Sequence, residues 1–283
     1  MPDSNQIATQ QCLIDGEWGA SVPIDDRGLN YGDGVFETIA VSHGKPLQME
    51  QHLARLQRGC DVLRLGPVDG AQINSECGRL ANGTQKAVLK VIITRGSGGR
   101  GYRPAATPLT RRAISLHQWP SLPPFESDAK AFVCSQRLHD NPALAGIKHL
   151  NRLEQVLASH EWPDATYLEG LMRDTDGHFV AGTKSNLFVI QGSRLQTPPV
   201  DRCGIAGVVR AAVLRHAPDC NLETELIPLD SHALETADEV FVTNSIMGVR
   251  TLEVIDGVRS KKPVKANQTA ALIDALRKAA VIV

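Results

Sequence analysis

Apolar and polar positions along the chain change period several times, and each change marks an element. "LIDGEW" reads as a short hairpin turning on Asp15 and Gly16. "DDRGLNYGDGVFETIAV" is a glycine-punctuated loop that runs into an alternating strand. From Glu50 the period becomes helical, with Leu53, Leu56, Cys60 and Leu63 on one stripe. Residues 88–94, "VLKVIIT", form a strand that feeds the glycine loop "RGSGGRGY". "WPSLPPFES", residues 119–127, has three prolines in nine positions and reads as a stiff connector. "AKAFVCS" is a strand. "LAGIKHLNRLEQVLASH" opens on a glycine turn and becomes a helix, with Leu150, Leu153, Val156, Leu157 and His160 on one face. "DATYLEGLMRDTDGHFVAGTKSNLFVI" gives two or three strands joined by a turn at 174–177. "GIAGVVRAAVLRHA" is a glycine turn opening a helix, and "ADEVFVTNSIMGV" is a strand ending in a polar turn. Residues 266–280 form a last helix on Leu272, Leu276 and Ala279. Helices and strands mix without strict alternation, which predicts an α+β fold. The connector divides it into a smaller N-terminal domain, 1–118, and a larger C-terminal domain, 128–283.

Composition narrows the partners. The chain has 283 residues and a formal net charge of -1, with a pI near 6.8. That balance gives no electrostatic reason for nucleic acid or an anionic membrane as partner. No apolar run is long enough to span a bilayer. "MPDSNQIATQQ" has neither a basic nor an apolar signal region, so no leader is expected. The six cysteines are scattered, without C-x-x-C spacing. They read as reduced thiols of a cytoplasmic protein, with no metal site.

The glycine loop poses the first chemical question. Gly96, Gly98 and Gly101 fit G-x-G-x-x-G after a strand. A dinucleotide site needs a helix directly after those glycines. Here Pro104 and Pro108 follow, and no acid appears until Glu126. Two readings stay open: a loop whose Arg95, Arg100 and Arg103 bind carboxylates, or a solvated turn with surface arginines.

"LKVIITRGSGGRGY" and "NPALAGIKHLNRLEQV" resemble the aminodeoxychorismate lyases, which are fold-type IV enzymes dependent on pyridoxal 5'-phosphate. "DRGLNYGDGVFET", "HLARL" and "SNLF" are similar to the wider superfamily, which includes branched-chain and D-amino acid aminotransferases. The resemblance runs from about Leu13 to about Val249. It implies a two-domain, D-amino acid aminotransferase-like fold, a cofactor between the domains and a homodimer. It makes Lys148, in the C-terminal domain, the lysine that forms a Schiff base with the cofactor and then moves protons. It implies Arg55, the backbone N–H groups of Val208 and Val209, Asn244 and Ser245 as cofactor-binding. Tyr31, Thr38, Arg95 and Arg100 become candidates for the substrate. The implied reaction converts 4-amino-4-deoxychorismate to 4-aminobenzoate and pyruvate. An aminotransferase of the same fold, or a cofactor-binding relative with impaired catalysis, is the alternative.

One position departs from the family. Ala181 stands where most members carry a glutamate that pairs with the pyridine nitrogen. The substitution is natural and tolerated, or another acid such as Asp174 or Glu169 takes its place, or the protein is impaired.

Overall fold

A computed structural model describes residues 12–19, 21–99, 101–107, 109–121, 129–260 and 268–283. The α+β class is as expected, and the chain divides into two compact units. Unit 1 is Met1–Pro120 together with Lys148–Asn151; unit 2 is Ser121–Ile147 and Arg152–Val283. The division falls inside the expected connector, of which residues 122–127 lie outside the described residues. The expectation that Lys148 belongs to the C-terminal domain is corrected, because Lys148–Asn151 groups with unit 1.

Unit 1 holds β1 (Cys12–Ile14), β2 (Glu17–Trp18), α1 (Arg27–Tyr31), β3 (Gly34–Ser42), β4 (Lys45–Pro46), α2 (Met49–Leu63), α3 (Gly70–Ala81), β5 (Lys86–Thr94) and β6 (Arg111–Gln118). The strands form one antiparallel sheet in the order β2-β1-β6-β5-β3-β4. Successive strand residues point to opposite faces. On β3, Val35, Ile39 and Val41 are buried, and with Leu89, Val91 and Ile114 they meet Leu56 and Cys60 of α2 and Ile73, Cys77 and Leu80 of α3. The helical stripe predicted from Glu50 packs here, with Leu53 and Leu63 at its margin. Helix α3 was not expected. Asp69 caps it by accepting from the Gln72 N–H.

Unit 2 holds β7 (Lys130–Arg137), α4 (Leu153–Ser159), β8 (Tyr167–Arg173), β9 (Phe179–Gly182), β10 (Asn186–Gln191), β11 (Arg194–Thr197), α5 (Val208–His216), β12 (Glu223–Leu226), α6 (Ser231–Thr236), β13 (Glu239–Asn244), β14 (Gly248–Thr251), β15 (Val254–Ile255) and α7 (Gln268–Lys278). Its strands make a mixed sheet ordered β12-β11-β10-β9-β8-β7-β15, with β13 paired to β10 and β14. Around it, α5 and α7 pack Val209, Val213, Leu272 and Leu276 onto Phe188 and Phe241, whose rings stack at 4.9 Å.

Two helical expectations change. The helix after the glycine turn is short and begins at Leu153, because residues 148–151 run along β3 instead. Its apolar stripe faces outward: Leu153 is 76%, Leu157 57% and Val156 45% exposed. On α7, Leu272 and Leu276 are buried as expected, while Ala279 is exposed and Ile273 takes the inner position.

Gly34 is fixed by close approach. A Cβ there would lie 2.4 Å from the Ile93 carbonyl oxygen and 2.8 Å from the Leu150 side chain. Gly34→Ala is therefore expected to destabilise the protein by about 2 kcal/mol or more, read as a lowered urea midpoint. An unchanged midpoint would show that β3 and β5 separate freely.

Candidate functional site

Lys148 is held by backbone. The Phe36 N–H donates to the Lys148 carbonyl at 2.9 Å, and the Leu150 N–H donates to the Gly34 carbonyl at 3.0 Å. The side chain then returns over the strand, with Nζ 4.1 Å from the centre of the Phe36 ring. Phe36 and Thr38 share the face of β3 that α2 and α3 leave uncovered. Lys90, directly across from Thr38 on β5, places its Nζ 5.4 Å from the centre of the same ring. Next in that row is Ser115 on β6, bonded to the His117 ring at 2.7 Å. Burial lowers the His117 pKa, and the charge on Lys90 lowers it further. Lys90 is half-buried and has no carboxylate partner among the described residues. Sequence reading missed it, because a lysine in an alternating strand carries no signal of its own.

The opposite face holds Arg55. Glu37 is buried beneath α2. Its two carboxylate oxygens accept from Arg55 Nε at 2.7 Å and Arg55 Nη2 at 2.6 Å, and the second also meets His52 Nδ1 at 2.7 Å. Burial alone would raise the pKa of Glu37. The charge and hydrogen bonds of Arg55, then those of His52, outweigh it and hold the pKa at about 2. The arginine assigned to the cofactor phosphate is thus bound on two nitrogens to a buried acid.

The role expected of Arg95 is corrected. Its Nε and Nη2 grip both oxygens of Asp33 at 2.7 and 2.9 Å, and its guanidinium also donates to the carbonyls of Leu63 and Arg64. Asp33 accepts in addition from Arg27 Nε at 3.0 Å, and Arg27 donates to the carbonyls of Gly101 and Tyr102. Burial would raise the Asp33 pKa, but Arg95 and then Arg27 bring it down. So the arginine and glycine string is clasped to the "DRGLNYGDG" loop. Gly96 is required by that closure: φ is 78° and a Cβ would fall 1.8 Å from the Leu109 carbonyl oxygen. Arg100 lies outside the described residues. Tyr31 is partly exposed, with its ring edge-on to Tyr102 at 5.6 Å and under the Arg27 guanidinium.

In unit 2, Gly207 precedes α5, and no side chain caps that helix. The N–H groups of Val208 and Val209 open the helix and carry its positive end. Asn186 lies directly against Gly207; a Cβ on the glycine would sit 2.0 Å from Asn186 Oδ1. The register pairs Asn186 with Thr243. Thr243 Oγ1 is buried and makes no hydrogen bond among the described residues. The Asn244 side chain is turned to its own loop: its amide donates to the Lys184 carbonyl, and its oxygen accepts from the N–H groups of Ile246 and Met247. It shapes the turn that carries Ser245.

Neither alternative acid raised for Ala181 is available. Glu169 is fully buried and accepts from the N–H groups of Gly170 and Thr183 and from the hydroxyls of Thr183 and Ser185. Asp174 closes the hairpin by accepting from the His178 N–H. Ala181 itself is buried, between Met172 on β8 and Asn186 on β10.

Comparison with known proteins settles the family. The family model for amino-transferase class IV matches residues 34–255. The chain belongs to the class IV aminotransferase family. The aminodeoxychorismate lyase of Vibrio harveyi is 31% identical over 242 residues, covering 85% of this chain and 89% of that protein. The crystal structure of 4-amino-4-deoxychorismate lyase from Pseudomonas aeruginosa is 41% identical with a TM-score of 0.88, covering 94% of this chain and 98% of that one. The branched-chain amino acid aminotransferase from Escherichia coli has a TM-score of 0.83 at 24% identity and shares the fold. The match covers 96% of this chain and 94% of that one.

In this class IV chain, Glu37 ties a catalytic-face strand to α2, so its ionisation is a stability switch. Its folded pKa of about 2 lies below its ordinary 4.5. The group therefore stabilises fully above pH 4.5 and loses that contribution as pH falls toward 2. Glu37→Gln is expected to cost roughly 3 kcal/mol at pH 7. It should also flatten the loss of stability between pH 4.5 and 2. Urea unfolding at pH 7 and pH 3 measures both; parallel losses in wild type and variant would contradict the coupling.

Proposed function

We infer that this chain is an aminodeoxychorismate lyase, converting 4-amino-4-deoxychorismate to 4-aminobenzoate and pyruvate with pyridoxal 5'-phosphate. The carrying observation is the Lys148 amine over Phe36, on one sheet face with Thr38 and Lys90. The two lyase relatives support the reaction.

The residues fit the cofactor. An uncapped helix start and a buried hydroxyl without a partner suit a phosphate, and the lysine amine suits an aldehyde. In this reading Val208 and Val209 give N–H donors, and Thr243 and Ser245 give hydroxyls, all from unit 2. When bound, the cofactor withdraws electrons from the substrate carbon that bears nitrogen. Lys148 takes the proton from that carbon. The neighbouring enolpyruvyl ether bond breaks, its oxygen leaves with the electron pair, and the ring becomes aromatic. The departing enol takes a proton to become pyruvate. Lys90 binds one of the two substrate carboxylates, the task first given to Arg95, and Thr38 and Tyr31 line the same site. Arg100 keeps its proposed place at the second carboxylate.

A homodimer is part of this reading. It is supported by the outward apolar stripe of α4, where a second copy of this chain would cover Leu153, Val156 and Leu157. A cytoplasmic setting is supported by six free cysteines, of which Cys60, Cys77, Cys134 and Cys203 have thiol pKa values pushed to about 12 by burial. No helix among the described residues is long and apolar enough to cross a membrane.

Purified protein supplied with enzymatically generated substrate should release pyruvate, and Lys148→Ala should abolish both that release and the cofactor's visible absorbance band. Amino-group exchange between leucine or alanine and 2-oxoglutarate, with no pyruvate released from the generated lyase substrate, would favour an aminotransferase instead. Ala181→Glu should change lyase turnover little. A rise above about a hundredfold, roughly 2.7 kcal/mol of barrier, would show that Ala181 impairs the enzyme.

A further inference from the structure

Two arginines of unit 2 sit side by side with no ion pair among the described residues. β7 and β8 run parallel and set Arg137 directly beside Arg173. Both are half-buried. Arg137 Nη1 and Arg173 Nε are buried, and neither makes a hydrogen bond among the described residues. Neither side chain forms an ion pair there. The acids closest in sequence are committed: Asp140 and Asp176 pair with Arg202, and Asp174 pairs with His178. Arg173 lies 5.6 Å from the centre of the Phe179 ring, which holds the guanidinium plane without cancelling its charge. Burial lowers the Arg173 pKa, and the charge on Arg137 lowers it again.

Like charges side by side on adjacent strands repel, and a desolvated guanidinium nitrogen without a partner is unfavourable. Arg111, Arg210 and Arg259 also keep a buried Nε without a partner, but each bonds a carboxylate or backbone carbonyls through its other nitrogens, and four arginines of unit 1 grip an acid. Arg27 and Arg95 share Asp33, Arg55 grips Glu37, and Arg112 grips Glu76. At Arg137 and Arg173 two guanidinium forks sit one strand apart, with donors left over on each. One small oxyanion with several acceptor oxygens would satisfy both and remove the repulsion.

We propose that Arg137 and Arg173 form a binding site for a small tetrahedral oxyanion, inorganic phosphate or a phosphate monoester. The site belongs to unit 2 alone and does not depend on the lyase reading.

The test uses holoenzyme, so that the cofactor's own phosphate site is filled. Inorganic phosphate is titrated calorimetrically at constant ionic strength, with sulfate and malonate as separate arms. Wild type should bind phosphate saturably with a Kd of about 1 mM or tighter. Its Tm should rise by about 3 °C at ten times that concentration. Sulfate should act like phosphate; a response to malonate alone would overturn the tetrahedral assignment. Arg137→Gln and Arg173→Gln should each remove the response while keeping pyruvate release. In phosphate-free buffer Arg173→Gln should melt no lower than wild type, since it loses a repelling neighbour. A purely structural arginine would instead lower the Tm. Absence of saturable binding by wild type up to about 20 mM phosphate, or an undiminished response in both variants, would overturn the proposal.

Discussion

The site depends on one edge of one strand. Along one side β3 pairs with β5 over its whole length. Along the other, β4 takes only the far end, at Val41 and Ser42. The remaining edge accepts residues 148–150 through the Phe36 N–H and the Gly34 carbonyl. Lys148 is thereby positioned by a sheet, which is stiffer than the helix start its sequence suggests. The pleat then sorts the chemistry. Glu37 turns inward to His52 and Arg55, while Phe36 and Thr38 turn outward to Lys148 and Lys90. A slip of one residue would exchange the two sets. Gly34 prevents the slip from being relieved, because neither neighbour tolerates a side chain there.

Charge follows the same division. Asp33 draws Arg27 and Arg95 together and so fastens two loops that are 62 residues apart at Asp33 and Arg95. Glu37 does the same for β3 and α2. Asp33 and Glu37 consume Arg27, Arg95 and Arg55, and among the described residues Lys90 is left on the uncovered face without an acid. The glycine loop is thus a support for the site, and its binding role rests on the strand that precedes it.

Much of this was legible, and the misses share a cause. Period alone found β3, β5 and the stripe of α2, because each has a continuous apolar face. It missed α3, where Ile73, Cys77 and Leu80 are diluted by polar residues. It found the stripe of α4 but not its destination, since Leu153 and Leu157 look alike whether covered or exposed. Arg95 sits among glycines as a ligand-binding arginine would, and only its distant partner Asp33 reveals an anchor. The lysine was recognisable through family resemblance alone. Its detachment from α4 was not, because backbone pairing to β3 leaves no mark on side-chain pattern.

The alanine at position 181 makes physical sense within unit 2. It packs with Cys134, Leu138, Met172, Val180 and Cys203. A carboxylate in that setting needs donors or a cation. The donors of Gly170, Thr183 and Ser185 are already turned to Glu169. An acid at 181 would therefore be a buried charge in an apolar cluster, without those donors. Alanine removes that liability and gives up part of the electron sink. A reaction that ends in an aromatic ring tolerates the loss better than a reversible amino transfer, because the product itself supplies driving force. Such a site favours the lyase over its aminotransferase relatives at the level of a single side chain.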